Sequence, residues 1–167
     1  MATLAERLQP DQTVWIEHRN RKESVSFYKT GENLVSNRRS KNKRNYYRFM
    51  LEPHPGDTVV HIKELGPGHR YIVAASLIKK PAVVRSGRYF IRLRDRIQIK
   101  NLPLKNFLSK YGKRIRAEIE RAENIELYPF RRKKDTTDEV VPAKKYLTKA
   151  TPRLVSYLAA GYWRIYA

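Results

Sequence analysis

The sequence predicts an α+β fold in which a central sheet is flanked by helices. Three stretches carry that expectation. Tyr71–Ile78, YIVAASLI, is apolar on both faces, as a central strand covered on two sides must be. Arg88–Lys100 alternates with period two, setting Tyr89, Ile91, Leu93, Ile97 and Ile99 against Phe90, Arg92, Arg94, Arg96 and Gln98. Leu104–Ala122 has helical spacing instead, with Leu104, Phe107, Leu108, Tyr111, Ile115 and Ile119 on one stripe.

The remaining elements follow in order. Residues 3–9 suit a short amphipathic turn ending at Pro10, and Thr13–Glu17 is a strand centred on Trp15. Residues 21–30 are a short helix or irregular, and Asn33–Asn37 is a short extended piece. Residues 40–50 read as a helix capped by Ser40. Pro53, Pro55 and Gly56 close it and lead into strand Thr58–Ile62, after which Gly66-Pro67-Gly68 marks a turn. Asp95 breaks the alternation of 88–100 and signals a bulge or bend. Pro103 opens the long helix, which Gly112 weakens. Glu126–Phe130 is a short strand candidate, and Arg131–Glu139 reads as an exposed loop. Thr151-Pro152 starts a last helix that Gly161 is expected to close.

At 167 residues the chain is expected to form one domain, spanning 1–167. Its net charge is +20, from 36 Lys and Arg against 16 Asp and Glu. Such an excess repels itself in the folded state and points to a polyanionic partner, nucleic acid before a membrane surface. No apolar run approaches the roughly 18 residues of a spanning helix. The absence of cysteine removes disulfides and thiolate zinc sites and fits a cytoplasmic protein.

Catalytic patterns are lacking. Neither GxxxxGK[ST] nor GxGxxG occurs. His18, His54, His61 and His69 are scattered, and His61, inside an apolar strand, reads as a hydrogen-bonded core histidine. The carboxylates Asp57, Glu64 and Asp95 show no nuclease spacing. The expectation is a binding domain without catalytic residues, metal or cofactor.

Binding features are denser. From Ser36 and Asn37 the chain enters a basic run containing Arg38, Arg39, Lys41, Lys43 and Arg44, followed by Tyr46, Tyr47 and Arg48. Cations beside aromatic faces hold phosphates and stack on bases. Arg92, Arg94 and Arg96 form a second basic row on the polar face of their strand.

The order of features resembles an EVE domain, of the PUA-like group that also holds the YTH and ASCH domains. The resemblance rests on the early Trp15 strand, Gly56-Asp57-x-Val59-x-His61, the apolar Tyr71–Ile78 strand, the arginine-bearing strand and Leu102-Pro103-Leu104. The closing Lys145-Tyr146-Leu147-Thr148 and the helix around Leu154–Leu158 resemble such domains at the N-terminus of McrB-type proteins. The resemblance implies a PUA-like, twisted, barrel-like mixed sheet flanked by helices. It implies a pocket for a modified base turned out of the duplex and walled by aromatic side chains. It assigns the chain as a DNA-binding specificity module of a modification-dependent restriction system, with motor and nuclease on further domains. Trp15 marks the first strand of that pattern, and His18 and Asn20 stand where polar groups read the base edge. A cage tryptophan is usual where Asn33–Ser36 lies, and a second wall is expected after Tyr71–Ile78. Residues 79–87 hold no aromatic, which leaves Tyr89 or Phe90 to serve. Either Tyr46 and Tyr47 substitute, or the domain grips mainly the backbone. The same charge and aromatics also fit an RNA-binding PUA-like domain acting on tRNA or rRNA, and less well a small basic nuclease.

Overall fold

The computed structural model describes residues 4–9, 11–19, 33–37, 47–122, 126–135 and 139–166. The expected helix over 21–30 and most of that over 40–50 lie outside them. Residues Arg48–Leu51 form a 3-10 turn that buries Phe49 and Met50.

The architecture is α+β, with a curled mixed sheet forming a half-barrel. Nine strands are present among the described residues: β1 Val14–Arg19, β2 Asn33–Asn37, β3 Thr58–Gly66, β4 His69–Ile78, β5 Val83–Arg85, β6 Arg88–Pro103, β7 Phe130–Arg132, β8 Val140–Pro142 and β9 Leu147–Lys149. Three helices, α1 Leu4–Arg7, α2 Leu104–Arg121 and α3 Pro152–Tyr166, accompany them. The main sheet runs β2-β6-β4-β3-β1-β9, with β5 also on β6. β1 and β3 are parallel; the other pairs are antiparallel. As its apolar pattern requires, β4 lies centrally, between β3 and β6.

Each face of the sheet has its own core. The convex face packs Val14, Ile16, Val60, Ile62, Ile72, Ala75, Ile99 and Leu102 against α2 and α3. From α2 come Leu104, Phe107, Tyr111, Ile115 and Ile119, the stripe read from the sequence. Burying each such side chain contributes about 1.5–3 kcal/mol. Thr151 caps α3 as expected, its Oγ1 accepting from the Leu154 N–H at 3.2 Å. The concave face holds Trp15, Leu34, Val59, Ile78, Tyr89, Ile91, Leu93, Tyr146 and Leu147, closed below by Phe49 and Met50.

β6 serves both cores because of Asp95. Asp95 has φ 49°, and the β4–β6 register shifts between Ala75 and Leu77 at that level. The extra residue reverses the phase of the strand. Before it, Tyr89, Ile91 and Leu93 face the concave core; after it, Ile99 joins the helix-facing one. The expectation of a single apolar face over 88–100 is therefore corrected: residues of one parity lie on opposite sides of the sheet.

Three boundaries also differ. Arg131–Glu139 is not a plain loop, because Phe130–Arg132 pairs with Val140–Pro142 in a small hairpin. The strand expected over 126–130 is displaced onto this pairing. α3 continues through Gly161, and α2 is unbroken at Gly112. A helical glycine costs only about 1 kcal/mol, so it stops a helix only where the backbone turns left-handed.

Candidate nucleic-acid interface

Strand alternation sends Val14, Ile16 and His18 to the helices and Trp15, Glu17 and Arg19 to the concave side. Glu17 is fully buried there, beside His61 on β3, its direct register partner. A buried carboxylate is tolerated only when its oxygens are satisfied. Arg19 Nε donates to Oε1 at 2.8 Å, Tyr146 OH donates to the same oxygen at 2.5 Å, and the His61 Nδ1 side meets Oε2. Ser76 Oγ on β4 lies 2.9 Å from His61 Nε2. The network assigns the neutral Nδ1–H tautomer: His61 donates to Glu17 and accepts from Ser76. His61 is thus the hydrogen-bonded core histidine that its apolar strand suggested.

The order Glu17–His61–Ser76 has the connectivity of a nucleophilic triad. Ser76 is fully buried, however, and sits within a strand, so its hydroxyl meets no substrate. In this conformation the row ties β1, β3 and β4 together.

Its electrostatics favour that role. Burial raises the Glu17 carboxyl, but the His61 contact and the Arg19 guanidinium outweigh it and hold the group at about 2. Burial lowers His61, Glu17 opposes that, and Arg19 and Arg96 reinforce it, so the imidazole stays neutral. Arg96 follows the Asp95 bulge and comes electrostatically within reach of both Arg19 and Glu17. Burial of its inner part and the like charge of Arg19 pull it below the ordinary arginine value. Lys63 is opposite Arg19 on β3, and Gln98 follows Arg96 on the same side of β6. Arg96, Gln98 and Lys63 are exposed. The upper concave face is thus a cationic, donor-rich surface on a floor that fixes Arg19.

β2 borders this face. Tyr146 OH accepts from the Val35 N–H at 3.2 Å while donating to Glu17, which ties the edge of the sheet to its centre. Ser36, two residues beyond Leu34 on the same strand face, is buried, and its Oγ has no hydrogen-bond partner among the described residues.

The residues singled out from sequence are distributed unevenly. Ser36 lies at the site, and Arg96, grouped with Arg92 and Arg94 in the basic row, stands at its centre. Arg92 and Arg94 precede the bulge on the outer face, and Arg94 pairs with Asp95 at 2.5 Å. Tyr47 is half-buried, edge-on to Tyr146 at 6.3 Å between centroids, and is not displayed as a stacking platform. Trp15 is corrected to a core residue: it is 1% exposed, and its indole Nε1 donates to Asp57 Oδ2 at 2.9 Å. Tyr89 is likewise buried in the concave core and forms no cage wall, while Phe90 points to the other face beside Val83. His18 faces the helices, where Thr148 Oγ1 is 3.4 Å from Nε2, so it reads no base edge on the concave side. Burial and the positive Arg70 depress it to about 3. Asn37 is in β2. Asn20, Arg38, Arg39, Lys41, Lys43, Arg44 and Tyr46 lie outside the described residues. Glu17, Arg19, Ser76 and Tyr146 were missed from sequence. The available signal was two polar residues, Glu17 and His61, on inward positions of otherwise apolar strands.

Fold and site together define an open, half-barrel α+β domain with a cationic concave face. No family model matches the chain, and no curated protein matches it. Two solved structures share the fold at low identity. A hypothetical protein from Leishmania major aligns with a TM-score of 0.55 and 9% identity, covering 94% of this chain and 98% of that one. An NMR structure of a protein from Rhodopseudomonas palustris aligns with a TM-score of 0.50 and 9% identity, covering 92% and 94%. At this identity the likeness concerns the fold alone. Among the described residues no helix is long and apolar enough to cross a membrane.

Proposed function

We propose that the chain binds nucleic acid, duplex DNA first, through the concave face of the half-barrel. In this reading it is a PUA-like, EVE-type specificity module of a modification-dependent restriction system, and the motor and nuclease belong to other domains. The observation that carries the reading is exposed Arg96, Lys63 and Gln98 above a floor in which buried Glu17 holds Arg19, whose side chain is 9% exposed. Exposed cations and donors on a curled face suit the phosphates and base edges of a nucleic acid. The net charge of +20 supplies attraction at longer range. In the sequence the basic run from Arg38 to Arg44 follows directly on β2.

The test is a titration of the protein against matched duplexes, unmodified, cytosine-methylated and adenine-methylated, with a structured RNA alongside, at two salt concentrations. The expected result is preference for one modified duplex that persists at high salt, and loss of that preference in Ser36→Ala and Arg96→Ala. Equal, salt-labile binding to every duplex would leave only a backbone binder. Tighter binding of the RNA would move the reading to an RNA-binding domain. Replacing Arg38, Arg39, Lys41, Lys43 and Arg44 together with alanine should weaken all duplexes alike and flatten the salt slope. Unchanged affinity would remove that run from the interface.

A further inference from the structure

A second basic surface lies on the helix side of the sheet, away from every residue used above. A groove of about 1320 Å³ runs between the β3–β4 turn, one side of α2 along almost its whole length, and the β7–β8 hairpin. Small-molecule pockets occupy roughly 300–1,000 Å³, so this groove is larger than one compact ligand needs. Its walls carry seven Lys and Arg side chains against two carboxylates, Glu120 and Glu139. Both carboxylates are already engaged, Glu120 by Arg116 and Arg132, Glu139 by Lys133. Lys105, Lys113 and Lys144 are exposed and form no ion pair among the described residues. Arg131 adds a buried Nε without a hydrogen-bond partner there. α2 begins at this groove with no side-chain cap and no acidic residue in its first turn, so its positive end is unopposed.

The groove reaches the same end of the sheet as the concave face. Tyr71, on its rim, is the ladder partner of Lys63, and Lys63 is the partner of Arg19. Along the sheet, Tyr71 and Arg19 are two strand spacings, about 10 Å, apart. We propose that this groove is a second track for the phosphate backbone of the duplex bound at the concave face. Lys105, Lys113 and Lys144 supply its phosphate contacts. The inference rests on the reading of the concave face as a nucleic-acid site. An extended polyanion fits a long, open, cation-lined channel where a single phosphate compound would leave most of it empty.

The experiment compares the full chain with Lys105→Gln/Lys113→Gln/Lys144→Gln and with Arg96→Ala. Fluorescence anisotropy follows a 20-base-pair and a 6-base-pair duplex across a KCl series. Each phosphate contact contributes about 0.9 to the slope of log affinity on log salt. The triple variant should lower that slope by about 2–3 on the long duplex and weaken it on the order of tenfold to a hundredfold at low salt. It should leave the short duplex, which covers only the concave face, within about twofold. Arg96→Ala should weaken both lengths. All three lysines are exposed, so a thermal melt matching the parent chain verifies the fold, and Lys144→Gln alone should give about one third of the slope change. Wild-type slope and affinity in the triple variant would overturn the groove and leave the concave reading standing. A triple-variant effect with no effect of Arg96→Ala would overturn the concave reading and, with it, the groove as a second track of the same duplex. Absence of binding by the parent chain would end both.

Discussion

Replacing Glu17 with glutamine removes one charge from the centre of the concave network while keeping its shape. Three groups point at that carboxylate: Arg19, His61 and Tyr146. A glutamine accepts through one oxygen and presents an N–H₂ donor to the other side, so His61 must switch tautomer to accept from it. Arg19, whose side chain is 9% exposed, loses the charge of Glu17. Breaking a buried pair in this way costs about 3–5 kcal/mol. The carboxyl's shift has the same sign: it is held below its ordinary value, so its ionised form stabilises the fold. Because the folded value lies below the unfolded one, this stability is complete above pH ~5 and drains away as pH falls towards 2. Urea denaturation of parent and variant between pH 7 and pH 3 measures both effects. At pH 7 the variant should be less stable by about 3–5 kcal/mol. Between pH 5 and pH 3 the gap should narrow, as the parent alone loses this contribution. A Glu17→Gln protein within 1 kcal/mol of the parent at pH 7, with the same acid dependence, would refute the account of the network.

Two further outcomes follow from neighbouring residues. His18 is buried and held neutral, far below an ordinary histidine at about 3, so folding loses stability as pH falls from 6.5 towards 3, by at most about 1.4 kcal/mol per unit. His18→Gln should reduce the slope of the midpoint–pH curve between pH 6.5 and pH 5, above the Glu17 window, and an unchanged slope there would assign it elsewhere. Trp15→Phe should cost about 1–3 kcal/mol by leaving Asp57 Oδ2 short of its indole donor, with duplex affinity unchanged. A fall in affinity at constant stability would instead return Trp15 to the binding face.

Much of the frame was legible because each part has its own period. The 3.6-residue stripe of α2, the two-sided apolar run of β4 and the Thr151-Pro152 cap all stand where the pattern put them. Period two over 88–100 was real as well, but alternation cannot report a reversal of phase; only the odd Asp95 hinted at it. The β7–β8 hairpin escaped because Arg131–Glu139 is polar on both sides, so no buried face imposed a period. At the site, sequence found the charge and missed the floor. Arg96 and Ser36 were within reach of composition and resemblance. Glu17 and Arg19 on one strand, His61 and Tyr146 converge from three places far apart in the chain, and only the β1–β3 register and the segment before β9 bring them together.

The reversal at Asp95 makes β6 the common wall of two compartments, one under the helices and one within the curl of the sheet. Neither has a complete set of walls without it. The two halves of that strand share one hydrogen-bond ladder with β4, so a disturbance on the helix side is felt at the arginines of the concave side. A change in chain length at this point would do more than shorten a strand. Losing one residue would turn Arg96 toward the helices and Ile97 toward solvent, exchanging the inside of the protein for its outside over the second half of β6.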